Sequence, residues 1–446
     1  MDKAEKLKEE IRTLVKEYYQ EVHAPKNDFC PGKSYVKYGG RFFDDKEMTN
    51  LVDASLDFWL TQGPWTHKFE KTFGEWLGVR FVSVTNSGSS ANLLAFMALT
   101  APELGERRIK RGDEVITVAC TFPTTVAPAI QYGAIPVFVD MTIPQYNIDI
   151  TQLEQALSPK TKAVMIAHSL GNPFDLKAVK DFCVKHELWL VEDNCDALGS
   201  TYKLNGKEMK TGTIGDIGTS SFYPPHHMTM GEGGAVYTNN PMLHKLVNSY
   251  RDWGRDCWCD SGRDNTCGKR FTGYFGELPV GYDHKYVYSH LGYNLKITDM
   301  QAAIGCAQLE KLDGIVAARR RNFTRLKKGL KDVTGIILPE AQKDSNPSWF
   351  GFLISVKEDA GFTRNDLTGF LESKKIQTRN LFAGNLIYHP CFDEMRATGK
   401  GFRVVGNLKV TNFIMSNTFW IGVYPGMTDE MIDYMIESIK EFANKQ

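Results

Sequence analysis

Residues 114–141 read EVITVACTFPTTVAPAIQYGAIPVFVDM, and this stretch decides the fold class. Its two ends, EVITVAC (114–120) and PVFVDM (136–141), are short runs of the apolar and β-branched residues that are typical of buried strands. Similar runs recur along the chain, at 163–169, 188–194 and 234–239. Most of them are separated by helix-like or loop segments. This alternation predicts an α/β fold with a largely parallel sheet, whose ligands bind at the strand ends.

The chain of 446 residues is long enough for two domains and a terminal arm. Residues 1–50 carry an apolar stripe at helical spacing and then a polar stretch with Pro and Gly, which predicts a helical arm and loop. Residues 51–314 hold the strand-like runs and are expected to form the large α/β domain, including a cysteine-rich loop at 251–270. Residues 315–446 have a mixed pattern, which predicts a smaller C-terminal α+β domain.

The charge balance argues against two classes of partner. Lys+Arg and Asp+Glu both number 53, so no net field favours nucleic acid or an anionic membrane. No apolar run reaches membrane-spanning length, and the first residues, MDKAEKLKEEI, are charged where a signal peptide would be apolar. We therefore expect a cytoplasmic protein, in which most of the nine cysteines are reduced, buried or incidental thiols.

Three segments have features of a site for a phosphorylated cofactor. NSGSSAN (86–92) begins an apolar helix, so its free N–H groups suit a phosphate, although many such turns only cap a helix. VEDNCD (191–196) ends a buried strand with acids that can pair with a protonated ring nitrogen, cap a turn or bind a metal. SFYPPHHMTMGEGG (221–234) places two histidines before a Gly-rich turn, although a single histidine is commonly structural.

The order of these segments resembles that of the sugar aminotransferase family of fold-type-I pyridoxal-phosphate (PLP) enzymes. The resemblance covers most of the chain, and its matching stretches are GDEVITVACTFPTT, GAIPVFVD, EDNCDALGS, SFYPPHHMTMGEGG, LGYNLKITDMQAAIGCAQLEKLD and FWIGVYPG. It implies a large cofactor-binding domain with a mostly parallel central sheet, followed by a smaller C-terminal α+β domain.

The resemblance also implies roles for individual residues. Gly88 and Ser89 are expected to form the phosphate turn, with Ser221 as a further phosphate contact. Phe122 is expected to stack on the pyridine ring and Asp193 to pair with its nitrogen. An ionised carboxylate at that nitrogen would keep the ring an electron sink, so each role agrees with the chemistry of the side chain.

Asn294, in Gly-Tyr-Asn, resembles the residue that reaches the phosphate from the neighbouring subunit. The resemblance therefore implies a homodimer with shared sites. Two basic residues, Arg41 and Arg379, are candidates for binding a substrate diphosphate, and either could instead be a solvated surface charge.

At the position of the family's Schiff-base lysine, this sequence has His226. Imidazole cannot form a stable imine with the cofactor aldehyde, but it moves protons near neutral pH. The change resembles the sugar 3-dehydratases of this family, which implies pyridoxamine phosphate (PMP) held without a covalent bond. His226 would then take a proton from the cofactor methylene while a neighbouring hydroxyl is expelled. The adjacent His227 is the competing candidate base.

Cys257, Cys259 and Cys267 lie within one Gly- and Asp-rich loop, separated by one and by seven residues. Three cysteines so close together are poor core filler in a reducing compartment. Zinc and iron–sulfur clusters both take thiolate ligands, and neither is excluded by this spacing. A fourth ligand has to come from elsewhere. Cys195 is the candidate, because it lies two residues after Asp193 and would bring a cluster close to the pyridine ring.

These four cysteines and His226 resemble the iron–sulfur branch of the family, the CDP-4-keto-6-deoxy-D-glucose 3-dehydrases of 3,6-dideoxysugar and lipopolysaccharide O-antigen biosynthesis. The resemblance implies a [2Fe–2S] cluster and an NADH-dependent flavin and iron–sulfur reductase as partner. It also implies a CDP-linked 4-keto-6-deoxy-hexose as substrate, from which the C3 hydroxyl is removed.

Three functions remain open from the sequence. The first is the PMP- and [2Fe–2S]-dependent dehydratase, and the second is a cluster-free dehydratase whose cysteines bind zinc or nothing. The third is a non-catalytic binding or regulatory protein that lost its lysine. Asp193, Phe122 and the phosphate turn argue against the third, because an inactive site need not keep an electron sink.

Overall fold

The computed structural model describes residues 2–26, 28–260 and 262–445. Its strands, in chain order, are β1 Phe81–Thr85, β2 Glu114–Val118, β3 Ile135–Val139, β4 Met141–Thr142, β5 Asn147–Ile148, β6 Thr161–Ala167, β7 Trp189–Asp193, β8 Thr201–Leu204, β9 Lys207–Lys210, β10 Ile217–Ser221, β11 Gly234–Thr238, β12 Ile336–Ile337, β13 Ser345–Asn346, β14 Gly351–Val356, β15 Arg379–Asn380, β16 Arg403–Val404 and β17 Thr418–Gly422.

The α-helices lie between and after these strands. They are α1 Lys3–Val22, α2 Asp45–Asp57, α3 Pro64–Leu77, α4 Gly88–Ala98, α5 Pro123–Tyr132, α6 Leu153–Ala156, α7 Leu176–Lys185, α8 Pro241–Arg251, α9 Asp299–Leu309, α10 Leu312–Leu330, α11 Arg364–Ser373, α12 Asp393–Thr398, α13 Lys409–Asn417 and α14 Asp429–Ala443. Within the described ranges, none of these helices has the length and apolar character needed to cross a bilayer.

The main sheet has eight strands in the order β1-β11-β10-β7-β6-β2-β3-β16. Six neighbouring strands, from β10 to β16 in that order, are parallel, and β11 runs antiparallel to both of its neighbours. The central strands β2 and β7 of the main sheet are buried along their whole length. This burial on both faces explains why their sequences are continuous apolar runs rather than an alternation of apolar and polar residues. The predicted α/β fold with a mostly parallel sheet is confirmed.

The C-terminal part forms a smaller sheet in the order β12-β14-β17-β15, in which every pairing is antiparallel. Side chains of α10, α11 and α14 share one apolar core with this sheet. Two features join this part to the main sheet. The helix α10 spans the predicted boundary after residue 314, and β16, from the C-terminal part, pairs with β3 in the main sheet.

The functional positions follow from this topology. The parallel strands β6, β7 and β10 end at Ala167, Asp193 and Ser221, so these residues lie at the carboxyl edge of the sheet. The N-terminus of α4 meets the same edge beside Ser221. Between α8 and α9 the chain forms a long irregular segment, residues 252–298, which carries three of the cysteines.

Candidate functional site

A cavity of about 520 Å³ opens at the carboxyl edge of the main sheet. Six residues that the sequence analysis assigned to the cofactor or to catalysis line it: Gly88, Ser89, Phe122, Asp193, Ser221 and His226. Cys195, Asp196 and Arg379 line it as well, whereas Arg41 does not. The structure therefore brings together, in one cavity, residues that lie far apart in the sequence. This position agrees with the rule that ligands bind at strand ends in α/β folds.

The predicted phosphate turn is the first turn of α4. The side chain of Ser87 caps the helix by accepting a hydrogen bond from the Ser90 N–H. The N–H groups of Gly88 and Ser89 have no carbonyl partner within the helix, because both residues lie in its first turn. A Cβ atom at Gly88 would lie 2.3 Å from Cβ of Ser221, so only glycine fits there. This close approach brings the helix N-terminus and the Ser221 hydroxyl to one point. Free N–H groups, a helix dipole and a hydroxyl suit a phosphate.

Asp193 is buried and held by three donors. Its Oδ2 atom accepts hydrogen bonds from Asn92 Nδ2 at 2.8 Å and Thr125 Oγ1 at 2.7 Å. Its Oδ1 atom accepts one from the Cys195 N–H at 3.2 Å. These bonds fix the carboxylate while it still lines the cavity, which is the arrangement needed to pair with a protonated ring nitrogen.

Phe122 is the residue before α5, and its side chain is 52% exposed at the cavity. An exposed aromatic ring beside an anchored carboxylate is suited to cover the face of a planar cofactor. Phe122 and Asp193 both line the cavity, with an exposed ring and an anchored carboxylate. The residues present fit PLP or PMP.

His226 lines the cavity with its side chain only 15% exposed. Its Nδ1 atom lies 3.4 Å from Oδ1 of Asp196, close enough for charge attraction. Burial raises the pKa of Asp196, although the nearby His226 opposes the shift. Contact with Asp196 at Nδ1 leaves Nε2 as the nitrogen free to exchange a proton within the cavity.

Arg319, from α10, holds the backbone of the His226 loop. Its guanidinium donates to the carbonyls of Pro225 and His226, both at 3.2 Å, and also to those of Trp349 and Phe350. Burial lowers the pKa of Arg319 to about 9, and the attraction of Asp196 opposes that shift. The guanidinium therefore stays charged at neutral pH and joins the His226 loop to the segment before β14, with two charge-assisted hydrogen bonds to each.

His227, the competing candidate base, does not line the cavity. It is buried, and its Nε2 atom lies 2.9 Å from the carbonyl oxygen of Ser348, to which it can only donate. Burial, with Arg319 nearby, lowers its pKa well below the ordinary value. The geometry gives His227 a structural role, so that of these two histidines His226 faces the cavity, which His389 also lines.

The four predicted metal ligands lie in two places. Cys195 lines the cofactor cavity, where burial and the neighbouring Asp193 and Asp196 raise the pKa of its thiol well above the ordinary value. Cys257, Cys259 and Cys267 line a separate small space of about 10 Å³. No residue lines both spaces, and Cys195 is not among the residues whose ligand atoms lie within 4.8 Å of one another around Cys267.

The three loop cysteines form a compact group, which we call the thiol cluster. Burial tends to raise the pKa of the Cys259 thiol, but hydrogen bonds from Thr266, Cys257 and Cys267 outweigh it and lower that pKa to about 7. Ligand atoms of Cys257, Cys267 and His284 all lie within 4.8 Å of one another. All nine cysteines are free. Burial raises the pKa of the neighbouring Cys257 thiol to about 11. This set of thiols with an adjacent imidazole fits iron–sulfur or zinc chemistry.

Asn294 lies outside the cofactor cavity of its own chain. It is exposed and pairs with Asp252 in an isolated antiparallel bridge, at the base of the segment that carries the thiol cluster. The same segment exposes Leu291, Tyr274 and Val280, which are 94%, 82% and 75% exposed.

Sequence reasoning missed several residues of the site. Asn92, Thr125 and Asp196 lie within or next to the quoted motifs, but only the folded sheet shows what they contact. Arg319 lies in a basic run of α10 with no motif of its own. His284, beside the thiol cluster, has no recognisable metal-ligand spacing in the sequence, because sixteen residues separate it from Cys267.

Comparisons with known proteins agree with this geometry. The sequence pattern of the DegT/DnrJ/EryC1/StrS aminotransferase family matches residues 43–440. The lipopolysaccharide biosynthesis protein RfbH of Salmonella typhimurium is 56% identical over 440 residues, covering 98% of both chains. The dTDP-4-dehydro-2,6-dideoxy-D-glucose 3-dehydratase of Saccharopolyspora spinosa is 49% identical over 438 residues, covering 98% of this chain and 92% of that one.

Solved structures of sugar 3-dehydratases are similar over most of the chain. A histidine-to-asparagine variant of GDP-4-keto-6-deoxymannose-3-dehydratase with bound GDP-perosamine has a TM-score of 0.80 at 28% identity, covering 91% of this chain and 100% of that one. The E. coli GDP-4-keto-6-deoxy-D-mannose-3-dehydratase with bound hydrated PLP has a TM-score of 0.80 at 27% identity, covering 91% and 99%.

Proposed function

The chain belongs to the DegT/DnrJ/EryC1/StrS aminotransferase family, and from this premise we propose that it is a PMP-dependent nucleotide-sugar 3-dehydratase. The observation that carries the proposal is His226, which lines the cofactor cavity at the position of the family's lysine. Relatives named as nucleotide-sugar 3-dehydratases support the reaction class. Removal of the C3 hydroxyl of a 4-keto-6-deoxy-hexose is the proposed reaction.

Different residues of the cavity would bind the phosphate and the pyridine ring of the cofactor. PMP, when bound, supplies an amine that condenses with a keto group and a ring that accepts an electron pair. Gly88 and Ser89 offer N–H groups, and Ser221 a hydroxyl, to the phosphate. Asp193 would pair its carboxylate with the pyridine nitrogen, and Phe122 would cover one face of the ring.

His226 moves the proton that starts the elimination. Its Nε2 atom takes a proton from the cofactor methylene carbon and delivers one to the departing hydroxyl, which leaves as water. Asp196 orients the imidazole from the other side, 3.4 Å from Nδ1. Tyr38, Phe350 and Trp420 also line the cavity, and these aromatic walls limit access of other water.

We further propose that the thiol cluster binds a [2Fe–2S] centre. That centre, when bound, passes electrons one at a time. Over the whole reaction the C3–O bond breaks and its oxygen leaves as water. Two electrons and two protons enter, while NADH is oxidised by a partner flavin and iron–sulfur reductase. Reduced thiols of this kind agree with action in the cytoplasm, as in 3,6-dideoxysugar synthesis for lipopolysaccharide O-antigen.

The alternative is a cluster-free 3-dehydratase with a single zinc ion. The ligand atoms of Cys257, Cys267 and His284 lie within 4.8 Å of one another, which favours this alternative because a tetrahedral zinc ion takes thiolate and imidazole ligands of this kind. Metal and sulfide analysis of an anaerobic preparation separates the two. About two irons and two sulfides per chain support the cluster, and zinc without sulfide contradicts it.

The proposed substrate carries CDP, with Arg379 at the cavity as a candidate contact for the diphosphate. Relatives are named for dTDP- and GDP-linked sugars, so nucleotide choice needs its own experiment. The protein, PMP, NADH and the reductase are incubated with CDP-, dTDP- and GDP-linked 4-keto-6-deoxy-hexoses in turn. Mass spectrometry should show loss of the C3 oxygen fastest with CDP, and equal rates would contradict CDP as the selected nucleotide.

We also propose a homodimer in which Asn294 of one chain reaches the phosphate site of the other. Two observations support it: Asn294 is exposed outside its own cavity, and the surrounding segment exposes large apolar side chains. Burial of these side chains against a second copy would remove an exposed apolar surface that a monomer would present to water.

A further inference from the structure

Three aromatic side chains form a continuous wall of the cofactor cavity, which we call the aromatic wall: Phe350, Trp420 and Tyr38. The ring centroid of Phe350 lies 5.2 Å from that of His226 and 5.4 Å from that of Trp420. The ring of Trp420 meets that of Tyr38 edge to face, with the centroids 5.4 Å apart. The aromatic wall therefore begins beside the proposed proton carrier and ends at Tyr38.

A positive charge lies at the far end of the aromatic wall. The guanidinium of Arg379 is stacked on the ring of Tyr38, with its central carbon 4.1 Å from the ring centroid. Arg379 is exposed and lines the cavity. Among the described residues it donates one hydrogen bond, from Nη1 to the carbonyl oxygen of Thr378 at 2.7 Å. A guanidinium has five N–H donors, so several remain for a ligand in the cavity.

The backbone around Tyr38 is held on two sides. The N–H of Val36 donates to the carbonyl of Lys375 at 2.8 Å, and the carbonyl of Val36 accepts from the N–H of Gln377 at 2.9 Å. On the other side, a Cβ atom at Gly422 would lie 2.6 Å from the carbonyl oxygen of Tyr38, so β17 packs directly against this backbone. The ring of Tyr38 is therefore a fixed support for the guanidinium.

Tyr38 belongs to a segment that precedes the family pattern, which begins at residue 43. Arg41, the basic residue of the same segment, does not line the cavity, and its guanidinium lies over the ring of Phe43 instead. The segment thus contributes an aromatic ring to the cavity rather than a charge, and the charge at this end of the cavity comes from Arg379.

The order of these groups matches the order of groups along a nucleotide sugar. The carbons that react have to lie beside His226. The C–H faces of a hexose, and the methyl group of a 6-deoxy sugar, are apolar and suit contact with aromatic rings. The diphosphate is bonded to the anomeric carbon, at the other end of the sugar, and a guanidinium takes phosphate oxygens through two parallel hydrogen bonds.

We propose that Arg379 binds the diphosphate of the substrate and that Tyr38 is a positioning residue, which holds the guanidinium toward the cavity. The sugar then lies along the aromatic wall, with its reacting carbons at the His226 end. This assignment rests on the proposed nucleotide-sugar substrate, but it is independent of the choice among CDP, dTDP and GDP, because all three carry the same diphosphate.

The first test measures binding of CDP and of cytidine to the full-length protein loaded with PMP, by isothermal titration calorimetry. Arg379→Met should weaken CDP binding about 10- to 100-fold, because charge-assisted hydrogen bonds are lost. Cytidine has no phosphate, so its binding should not change. Arg111→Met is the matched control: Arg111 is also exposed and stacked on a tyrosine, Tyr132, at 5.3 Å, but neither residue lines the cavity.

The second test asks whether Tyr38 acts through Arg379. Tyr38→Leu should weaken CDP binding about two- to fivefold, because the cation–π contact is lost, and Tyr38→Phe should bind CDP as wild type does, because it keeps the ring. The double variant Tyr38→Leu/Arg379→Met should bind CDP no more weakly than Arg379→Met. With the nucleotide sugar as substrate, the defect of Tyr38→Leu should appear in KM rather than in kcat.

The two roles and the proposed function can fail separately. Losses of Tyr38→Leu and Arg379→Met that add fully, or weaker cytidine binding in Tyr38→Leu, overturn the positioning role, because the ring would then contact the nucleoside itself. Unchanged CDP binding in Arg379→Met overturns the diphosphate contact and leaves the proposed function standing. A wild-type protein that binds none of CDP, dTDP and GDP contradicts the nucleotide-sugar function as well.

Discussion

At the scale of single residues, the site depends on which of two adjacent histidines faces the cavity. His226 does, and His227 is turned toward the carbonyl oxygen of Ser348. The motif placed His226 at the lysine position but could not show this difference, because side-chain direction at a loop is set by contacts from α10 and from the segment before β14. The geometry therefore favours His226 over His227 as the proposed proton carrier.

His226→Asn should therefore stop the chemistry without emptying the site. We expect PMP to bind with unchanged affinity, while solvent exchange of the cofactor methylene hydrogen falls about 10²–10⁴-fold. Nuclear magnetic resonance of the exchange and fluorescence titration of the cofactor measure the two properties. His227→Asn is the control: it should lower thermal stability and leave exchange in the folded fraction close to wild type. Unchanged exchange in His226→Asn would give the role to another residue.

The pH dependence of that exchange should reveal Asp196. Because burial raises the pKa of Asp196, its carboxylate is protonated at a higher pH than an ordinary aspartate. The charge that orients His226 is then present above this raised pKa and is lost as pH falls through it. We expect the exchange rate to drop on the acid side, and Asp196→Asn to be slow at every pH without that inflection. A profile in Asp196→Asn identical to wild type would contradict the role.

At the scale of elements, α10 supports the loop that carries His226. Arg319→Met would leave the carbonyls of Pro225 and His226 without their donor, and we expect a loss of about 1–3 kcal/mol in the free energy of unfolding. Exchange of the methylene hydrogen should slow as well, because the loop loses its anchor. Arg321→Met, on the exposed side of the same helix, is the matched control. Urea denaturation checks the first effect, and equal stability of the two variants would contradict it.

The edge strand β16 is fixed to the main sheet by an ion pair, in which Arg403 donates to Glu114 of β2 at 2.7 Å. Burial tends to raise the pKa of Glu114, but bonds from Arg403 and Ser158 outweigh it and lower that pKa. A lowered folded pKa stabilises the protein above the ordinary glutamate range, and this stability is lost as pH falls through the folded value.

Arg403→Gln should therefore cost stability at pH 7, by about 1–3 kcal/mol, and little at strongly acid pH. Urea unfolding at both pH values measures the difference between variant and wild type. Arg403→Lys keeps the charge and should fall in between. A difference that does not shrink in acid would show that packing, rather than the ion pair, stabilises β16.

The elements could be predicted to different extents. The apolar runs of β2, β3, β6, β7 and β11 mark buried strands, and the structure has them within a few residues of the expected positions. β10 reads IGTSS, which carries little apolar signal, and its place in the sheet depends on its neighbours. β16 has only two residues, so nothing local could indicate that it returns to the main sheet.

The residues of the site could also be predicted only where the local sequence carries a signal. Motifs identified Asp193 and the phosphate turn, which lie directly at a strand end and a helix end, and His226, which lies in the loop between β10 and β11. Arg319 contacts the carbonyl of His226, far away in sequence, and His284 contacts Cys267 within an irregular segment. No sequence periodicity encodes contacts of either kind. The resemblance implied Cys195 as a ligand. Only the folded chain shows that Cys195 lines the cofactor cavity, whereas the thiol cluster lines a separate space.

At the scale of the whole molecule, the proposed shared site predicts complementation between inactive chains. His226→Asn removes the base from its own cavity, whereas Asn294→Ala removes a contact proposed to be given to the other chain. Coexpressed with different affinity tags, the two should form mixed dimers with one intact site, so random pairing recovers about a quarter of wild-type activity. Light scattering of each variant confirms that dimers form. Activity of the mixture no higher than that of the separate variants would contradict a shared site.

The return of β16 to the main sheet has a consequence for synthesis of the chain on the ribosome. Residues 403–404 pair with β3, whose own residues are made more than two hundred positions earlier. Until then β3 presents an open edge, and the carboxylate of Glu114 lacks its arginine. Arg319 also emerges well after the loop it anchors. The N-terminal part of the nascent chain is therefore incompletely folded until residues 403–404 are made, and the open edge of β3 can pair with a wrong strand. We expect folding to be completed late in translation.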